Sequence, residues 1–385
     1  MINLRQLTFT PQEYERRVDS LRQRMNERNL DAVMINDPAN IAYLTGHFTT
    51  GYGTFQALII SHDLAWMVTR LLEESNVITR TWVDLTRPYL DTQDPLEVTI
   101  NSFSEFNFRG KSLGIETRCF FLPQHFQQQM KESCSNFTIE DCTGIVEQGR
   151  IIKSDQELSF MQDIADITQK SMVAGQEAVA AGANEDDISA TIHHAMYRAG
   201  GQYPAVAPYI TSGPRTLIGH ATWEGRTIKE GDCVFIELAG CKKRYHTAMM
   251  RTLFVGDPPK ELLIAEKLVK EALAECMKAM KPGVPVEEID KLSREILSKN
   301  SINATQITRS GYSIGIAFAP SWDEGHILSL REGEKTPLEE NMTFHLIPWI
   351  QLPDQFMVMG LSETVYITPE GAKSFFDLEP KLIVK

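Results

Sequence analysis

Two apolar runs, Val234 to Ala239 and Thr247 to Val255, stand on either side of a short Gly240-Cys-Lys-Lys-Arg turn. Long strand-like segments joined that tightly predict a β-hairpin. Side chains alternate along a strand, so Val234, Ile236 and Leu238 take one face of the first strand and Glu237 takes the other. The apolar face demands a covering layer, while a lone carboxylate looks out of the opposite face. An acid on a buried strand is destabilising by several kcal/mol unless it is paired or put to use. Glu237 is therefore the first candidate for chemistry.

The segments around this hairpin divide the chain in two. From residue 11 to about 150, helical and strand periods alternate. The pattern predicts a helix over 11–28, a strand over 32–36, a helix start at Asp37-Pro-Ala-Asn and strands over 55–60 and 64–69. A helix over 71–79, a strand over 112–116 and a helix over 123–134 follow, which together describe an α/β domain. Ser154, three residues before Glu157, then opens a long apolar-striped helix with a capping box, and the domain boundary is placed there, giving domains 1–150 and 151–385. Without any strict repeat, the second domain runs as two helices (154–181, 185–199), strands to 255, two more helices (258–280, 285–299) and strands to 368. Pro282-Gly283 after Lys278 and Lys281 marks the stop of the third helix. The expected product is a helix-covered antiparallel sheet built from two similar halves, an α+β layer beside the α/β domain.

Composition narrows the partners. A net charge of −13 and a pI near 5.3 oppose a nucleic-acid surface, and no basic run interleaved with aromatics overrides them. No stretch reaches the roughly 20 apolar residues of a membrane span. The six cysteines have no CxxC spacing, and no apolar signal core follows the first residues, so reduced thiols in a cytoplasmic protein are expected. Small molecules or a second copy of the chain remain as partners.

Seven ordered segments carry a resemblance. They are Asp37-Pro-Ala-Asn-Ile-Ala-Tyr-Leu-Thr-Gly46, Gly149 to Glu157, Gly219-His220-Ala-Thr-Trp223, Phe235 to Thr252, Gly311-Tyr-Ser-Ile-Gly315, Met342-Thr-Phe-His-Leu-Ile-Pro348 and Leu361-Ser-Glu-Thr-Val365. The chain resembles the pita-bread family of prolidase, aminopeptidase P, methionine aminopeptidase and creatinase over nearly its whole length. That resemblance implies an N-terminal creatinase-like α/β domain, a C-terminal pita-bread domain and a homodimer. The family's five metal-ligand positions fall here on Glu237, Ala248, Tyr312, Ile347 and either Glu363 or, by an ungapped count from Gly371, Ser362. A two-metal site needs several oxygen and nitrogen donors around each ion, so neither a metal nor any other cofactor is expected.

Within the family the chain looks most like the bacterial ectoine hydrolases. It shares Tyr203-Pro-Ala-Val, the segment around His220, Lys243-Arg-Tyr-His246, Arg309 to Gly315, Pro320-Ser-Trp322, Ser329-Leu-Arg331 and Met342-Thr-Phe-His345 with them. It departs from them at His47-Phe-Thr-Thr-Gly-Tyr-Gly and in Pro353 to Met359. His220 matches the histidine of metal-free creatinase, whereas that enzyme's catalytic glutamate would fall on Met250. The resemblance casts Glu237 as nucleophile or general base and His220 as acid/base. Glu363 would hold a water or position His220. His345 is two residues before Ile347 and so shares its strand face, aiming an imidazole at the vacated site, and Tyr312 offers it a hydroxyl. Arg215 and Arg331 are candidates for binding a substrate carboxylate, and Trp223 and Trp322 for walling the site. The expected activity is metal-independent hydrolysis of a non-peptide carbon–nitrogen bond in a small zwitterion, foremost the ring opening of ectoine, a cyclic amidine, to N-acetyl-diaminobutyrate. A creatinase-like amidinohydrolase, a Xaa-Pro peptidase-like protein and an inactive small-molecule-binding homologue are the alternatives.

Overall fold

A computed structural model describes residues 5–134, 137–299 and 302–385, and the chain separates into two compact units, Met1–Arg150 and Ile151–Lys385. The first unit holds six strands: β1 (Ala32–Ile35), β2 (Ala57–Ser61), β3 (Ala65–Arg70), β4 (Leu85–Tyr89), β5 (Ser112–Ile115) and β6 (Thr138–Asp141). They form one mixed sheet in the order β4-β3-β2-β1-β5-β6, with parallel pairs at β3–β4, β1–β5 and β5–β6. Its core gathers Met34, Ile59, Trp66, Val68 and Phe103. Two edge strands and the helix Pro95–Glu105 escape the sequence pattern. β4 carries Pro88, which an edge strand accommodates. The helix is marked only by its Asp94 cap, which accepts from the Leu96 N–H, and by Pro95 in its first turn. The segment read as a helix over 71–79 is a short 3-10 turn, Leu71–Glu73, followed by a helix over Glu74–Arg80.

The second unit realises the order of two helices and strands, twice. Helices Asp155–Ala178 and Glu185–Arg198 precede β7 (Tyr209–Ser212), β8 (Cys233–Lys242) and β9 (Tyr245–Phe254). Helices Lys260–Ala279 and Val286–Ser298 precede β10 (Gly311–Ser313), β11 (Ser329–Leu330), β12 (Thr343–Leu346), β13 (Trp349–Leu352), β14 (Met357–Gly360), β15 (Glu363–Thr368), β16 (Gly371–Ser374) and β17 (Ile383–Val384). The Ser154 capping box forms as expected, with both the side chain and the backbone of Ser154 bonded to Glu157.

The strands make a four-stranded sheet, β17-β9-β8-β7, and a five-stranded sheet, β11-β10-β12-β15-β16, with β13 and β14 as a separate pair. The expected single sheet is thus parted between β9 and β15. There side chains supplement a main-chain bond from Ser362 N–H to the Met250 carbonyl (3.2 Å): Ala248 N–H donates to Thr364 Oγ1 (2.8 Å) and Met250 N–H to Ser362 Oγ (2.7 Å).

The hairpin of β8 and β9 pairs through ten residues on each strand, from Cys233–Phe254 to Lys242–Tyr245. Its apolar face lies under helix Asp155–Ala178. Gly240 permits the closest approach, because a Cβ there would stand 2.4 Å from Thr168 Oγ1. With that face covered, the row Tyr209–Glu237–Met250 across β7, β8 and β9 is turned the other way.

Candidate functional site

That row forms the floor of a cavity of about 660 Å³ in the second unit. Thr211 and Phe235 continue the floor, Tyr312, Trp322, Ile347 and Trp349 stand around it, and His220, Arg309 and Asp323 complete the polar lining. Such a volume, largely aromatic with a few polar groups, suits a small organic ligand.

Glu237 is the acid of the floor. Its carboxylate accepts no hydrogen bond from any described residue, and burial alone pushes it up to about 8. Burial thus favours the protonated form near neutrality, and a cation arriving beside it would favour the ionised one. Tyr209 sits directly across from it in register. Its phenol is pushed up to about 12, first by burial and then by Glu237. His220 lies at the exposed margin with φ 58°, its ring 5.3 Å from that of Tyr209. Tyr209 therefore touches both candidate catalytic groups.

Behind the wall runs a directed chain of hydrogen bonds. Trp322 Nε1 donates to the Tyr312 hydroxyl at 3.0 Å. An indole N–H has no acceptor capacity, so the Tyr312 proton is left to point at His345 Nδ1, 2.7 Å away. Burial, then Arg251 and Arg309, push His345 down to about 3, so the ring is neutral. With Nδ1 accepting, its proton is on Nε2, 2.6 Å from Ser362 Oγ.

Of the residues expected at the site, Glu237, His220 and Tyr312 line the cavity, and Trp322 does so as well. Five do not. His345 is fully buried and both its nitrogens are spent, on Tyr312 and Ser362, so it supports the wall and does not face a ligand. Glu363 points to the other face of β15, where its carboxylate meets Arg251 at 2.7 Å and the Ser374 hydroxyl. Ser362, on the His345 face, fills the place left open between the two readings of the last ligand position. Arg215 is held by Glu185 at 2.5 Å and by the Thr222 carbonyl. Trp223 packs edge-on against His193, and Arg331 is exposed outside the lining.

Sequence reasoning gave no role to Tyr209, Arg309 or Asp323. Register alone brings Tyr209 opposite Glu237. Arg309 stands three residues before Tyr312 in a segment already singled out, and its position behind the ring was the missing information.

The donor set does not fit a dimetal centre. The implied ligand positions present Glu237, Tyr312 and Ile347 on the lining and Ala248 and Ser362 buried behind it, a single carboxylate among them. Among the described residues, no group of three or more His, Cys, Asp or Glu side chains is placed to hold a metal ion. Nor does any helix among the described residues have the length and apolarity to cross a membrane. All six cysteines are free.

Residues 159–369 match the model of metallopeptidase family M24, and residues 17–152 match the creatinase/prolidase N-terminal domain. The chain is 28% identical to the ectoine hydrolase of Halomonas elongata, covering 98% of this chain and 99% of that protein. It is 26% identical to the Xaa-Pro dipeptidase of Pyrococcus furiosus, covering 95% and 99%. Among solved structures it superposes on the prolidase of Pyrococcus horikoshii OT3 with a TM-score of 0.81 at 23% identity, over 96% of this chain and all of that one. The last likeness establishes the two-domain pita-bread fold.

Proposed function

The protein belongs to metallopeptidase family M24 and is a hydrolase, and from that premise we propose that it opens a carbon–nitrogen bond of a small cationic amidine zwitterion, foremost ectoine, without a catalytic metal. The observation that carries this reading is Glu237: one unpartnered carboxyl, pushed up to about 8, on the floor of an aromatic cavity. A Xaa-Pro dipeptide bears its positive charge on the α-ammonium and so places none at the carbon to be attacked, beside the ionised carboxylate. An amidinium does, so the substrate itself converts a neutral acid into the nucleophile or base that the reaction needs.

In this mechanism the ionised Glu237 attacks the amidine carbon or activates the water that does. His220, across Tyr209, delivers the proton to the departing nitrogen as the ring opens. Tyr312 has its proton committed to His345, so it presents a lone pair and an aromatic face to the ligand. Trp322 and Trp349 exclude water and offer ring faces to a cation. Similarity to an ectoine hydrolase and to a Xaa-Pro dipeptidase is nearly equal; the choice between them rests on the donor set. Met250 beside Glu237 opposes the creatinase alternative, because that position would carry its catalytic glutamate. A homodimer, as the pita-bread resemblance implies, is part of the same proposal.

Purified protein is to be incubated with ectoine, hydroxyectoine, creatine and a Xaa-Pro dipeptide, with chelator or with Mn²⁺, and products followed by mass. Ring-opened ectoine in the presence of chelator is expected. Mn²⁺-dependent release of proline, with ectoine untouched, would sink the proposal.

A further inference from the structure

The cavity lining also holds a guanidinium, that of Arg309, paired with Asp323 and closely packed. Arg309 projects its guanidinium over the Tyr312 ring, 4.6 Å from the centroid. Gly325 also lies so close that a Cβ at that position would stand 2.3 Å from Nη1 and 2.7 Å from Cζ. The planar head thus packs against both an aromatic face and bare backbone. Nη1 donates to Ser329 Oγ at 2.9 Å and Nη2 to Asp323 at 3.1 Å.

A guanidinium has five N–H donors. Two of Arg309's are used by described residues, which leaves three, and its side chain keeps one third of its surface open, on the cavity lining. Asp323 balances the charge with a single contact where a fork-to-fork pair would use two. Asp323 is itself steadied from its own loop, accepting from the Ser321 hydroxyl at 2.8 Å and the Gly325 N–H at 2.8 Å. The ion pair therefore fixes the guanidinium without exhausting it. Glu237 is on the cavity floor and Arg309 on its wall, with Asp323 engaged by Arg309 and by its own loop, so an acid and a guanidinium with spare donors face a single ligand.

We propose that Arg309 is the carboxylate subsite of this cavity, binding the anionic end of a zwitterion whose cationic end meets Glu237. This rests on the functional reading for the identity of the cationic end, and on the geometry of Arg309, Tyr312 and Gly325 for the anionic end. It also replaces Arg215, whose guanidinium is held by Glu185, and Arg331, which lies outside the lining. A residue in this role sets specificity: it orients the ring so that the amidine carbon is presented to Glu237, and it rejects amidines without an acid.

Three probes separate the two ends. Ectoine has both charges, methyl-tetrahydropyrimidine is the same cyclic amidine without the carboxylate, and cyclohexanecarboxylate is a ring acid without the amidine. Their affinities are to be measured by calorimetry, with tryptophan fluorescence as a second signal, for the parent, Arg309→Met and Gly325→Ala. The arginine variant should weaken ectoine and cyclohexanecarboxylate by about 10–100-fold, the range of a lost charge-assisted contact, and leave the amidine-only probe within about twofold. Gly325→Ala keeps the charge and displaces the guanidinium, so it should move the same two probes in the same direction. Turnover of ectoine by the parent is followed in parallel. No turnover, with Arg309-dependent binding of cyclohexanecarboxylate, would remove the ectoine reading and leave the subsite standing. If Arg309→Met weakens all three probes alike or none of them, or if neither acid binds the parent saturably, the subsite is refuted.

Discussion

Replacing Glu237 by Gln should make the protein more stable while destroying its activity. In the folded chain the carboxyl is raised from an ordinary 4.5 to about 8. Between those values the folded protein holds a proton that the unfolded chain releases. Stability therefore falls as pH rises through this window, and the full penalty is present above about pH 8. At about 1.4 kcal/mol per pH unit, the penalty is about 3 kcal/mol at pH 7 and about 5 kcal/mol above pH 8. Glu237 keeps part of its surface open on the cavity lining, and solvent screening there makes both figures upper bounds. For a unit of the size of Ile151–Lys385, a gain of about 3 kcal/mol corresponds to a rise in melting temperature of roughly 6–12 °C. Scanning calorimetry of parent and Glu237→Gln at pH 5, 7 and 8.5 provides the assay. The two curves should coincide near pH 5 and separate progressively toward pH 8.5, with the variant higher. A variant that melts at or below the parent at pH 8.5, or that keeps the parent's pH slope, refutes the reasoning. A metal seated on Glu237 would produce that opposite result, because its removal would cost stability, so the same experiment tests the metal-free reading without measuring turnover.

Four further outcomes are expected. Glu237→Gln should lower kcat by about 10³-fold or more and weaken ectoine by no more than the about 10–100-fold of a lost charge-assisted contact; activity within tenfold of the parent would make the residue structural. His220→Ala should be nearly as damaging, and if Glu237 forms a covalent adduct this variant should accumulate it, which intact-protein mass spectrometry with peptide mapping would place on Glu237. Glu363→Gln strips the counter-charge from buried Arg251 and should cost about 3–5 kcal/mol of stability by chemical denaturation. The folded fraction should keep its turnover, and loss of turnover at full stability would return Glu363 to the catalytic set. Exhaustive chelation should leave the ectoine rate intact, and a rate lost to chelator and restored by Mn²⁺, Co²⁺ or Zn²⁺ would overturn the donor-set argument.

The sequence by itself determined what depends on neighbours along the chain. Alternation along β8 assigned Glu237 to the face opposite Val234, Ile236 and Leu238, and the structure turns that face to the cavity. The Ser154–Glu157 capping box started the first long helix where it was read. Ordered motifs carried the family and the two-domain fold. Strand parity was the first thing beyond their reach: a one-residue shift moves a side chain to the other face. The pairing of His345 with Thr364 was needed to turn Ser362 toward His345 and Glu363 toward Arg251. Contacts between distant segments were the second. Arg215 looked free until Glu185, thirty residues away, took its guanidinium, and Arg309 looked ordinary until Tyr312 and Gly325 packed against it. The charge state of Glu237 was the third, since the shift comes from burial, a property that exists only once the hairpin and the residues around the cavity have limited the water reaching one carboxyl.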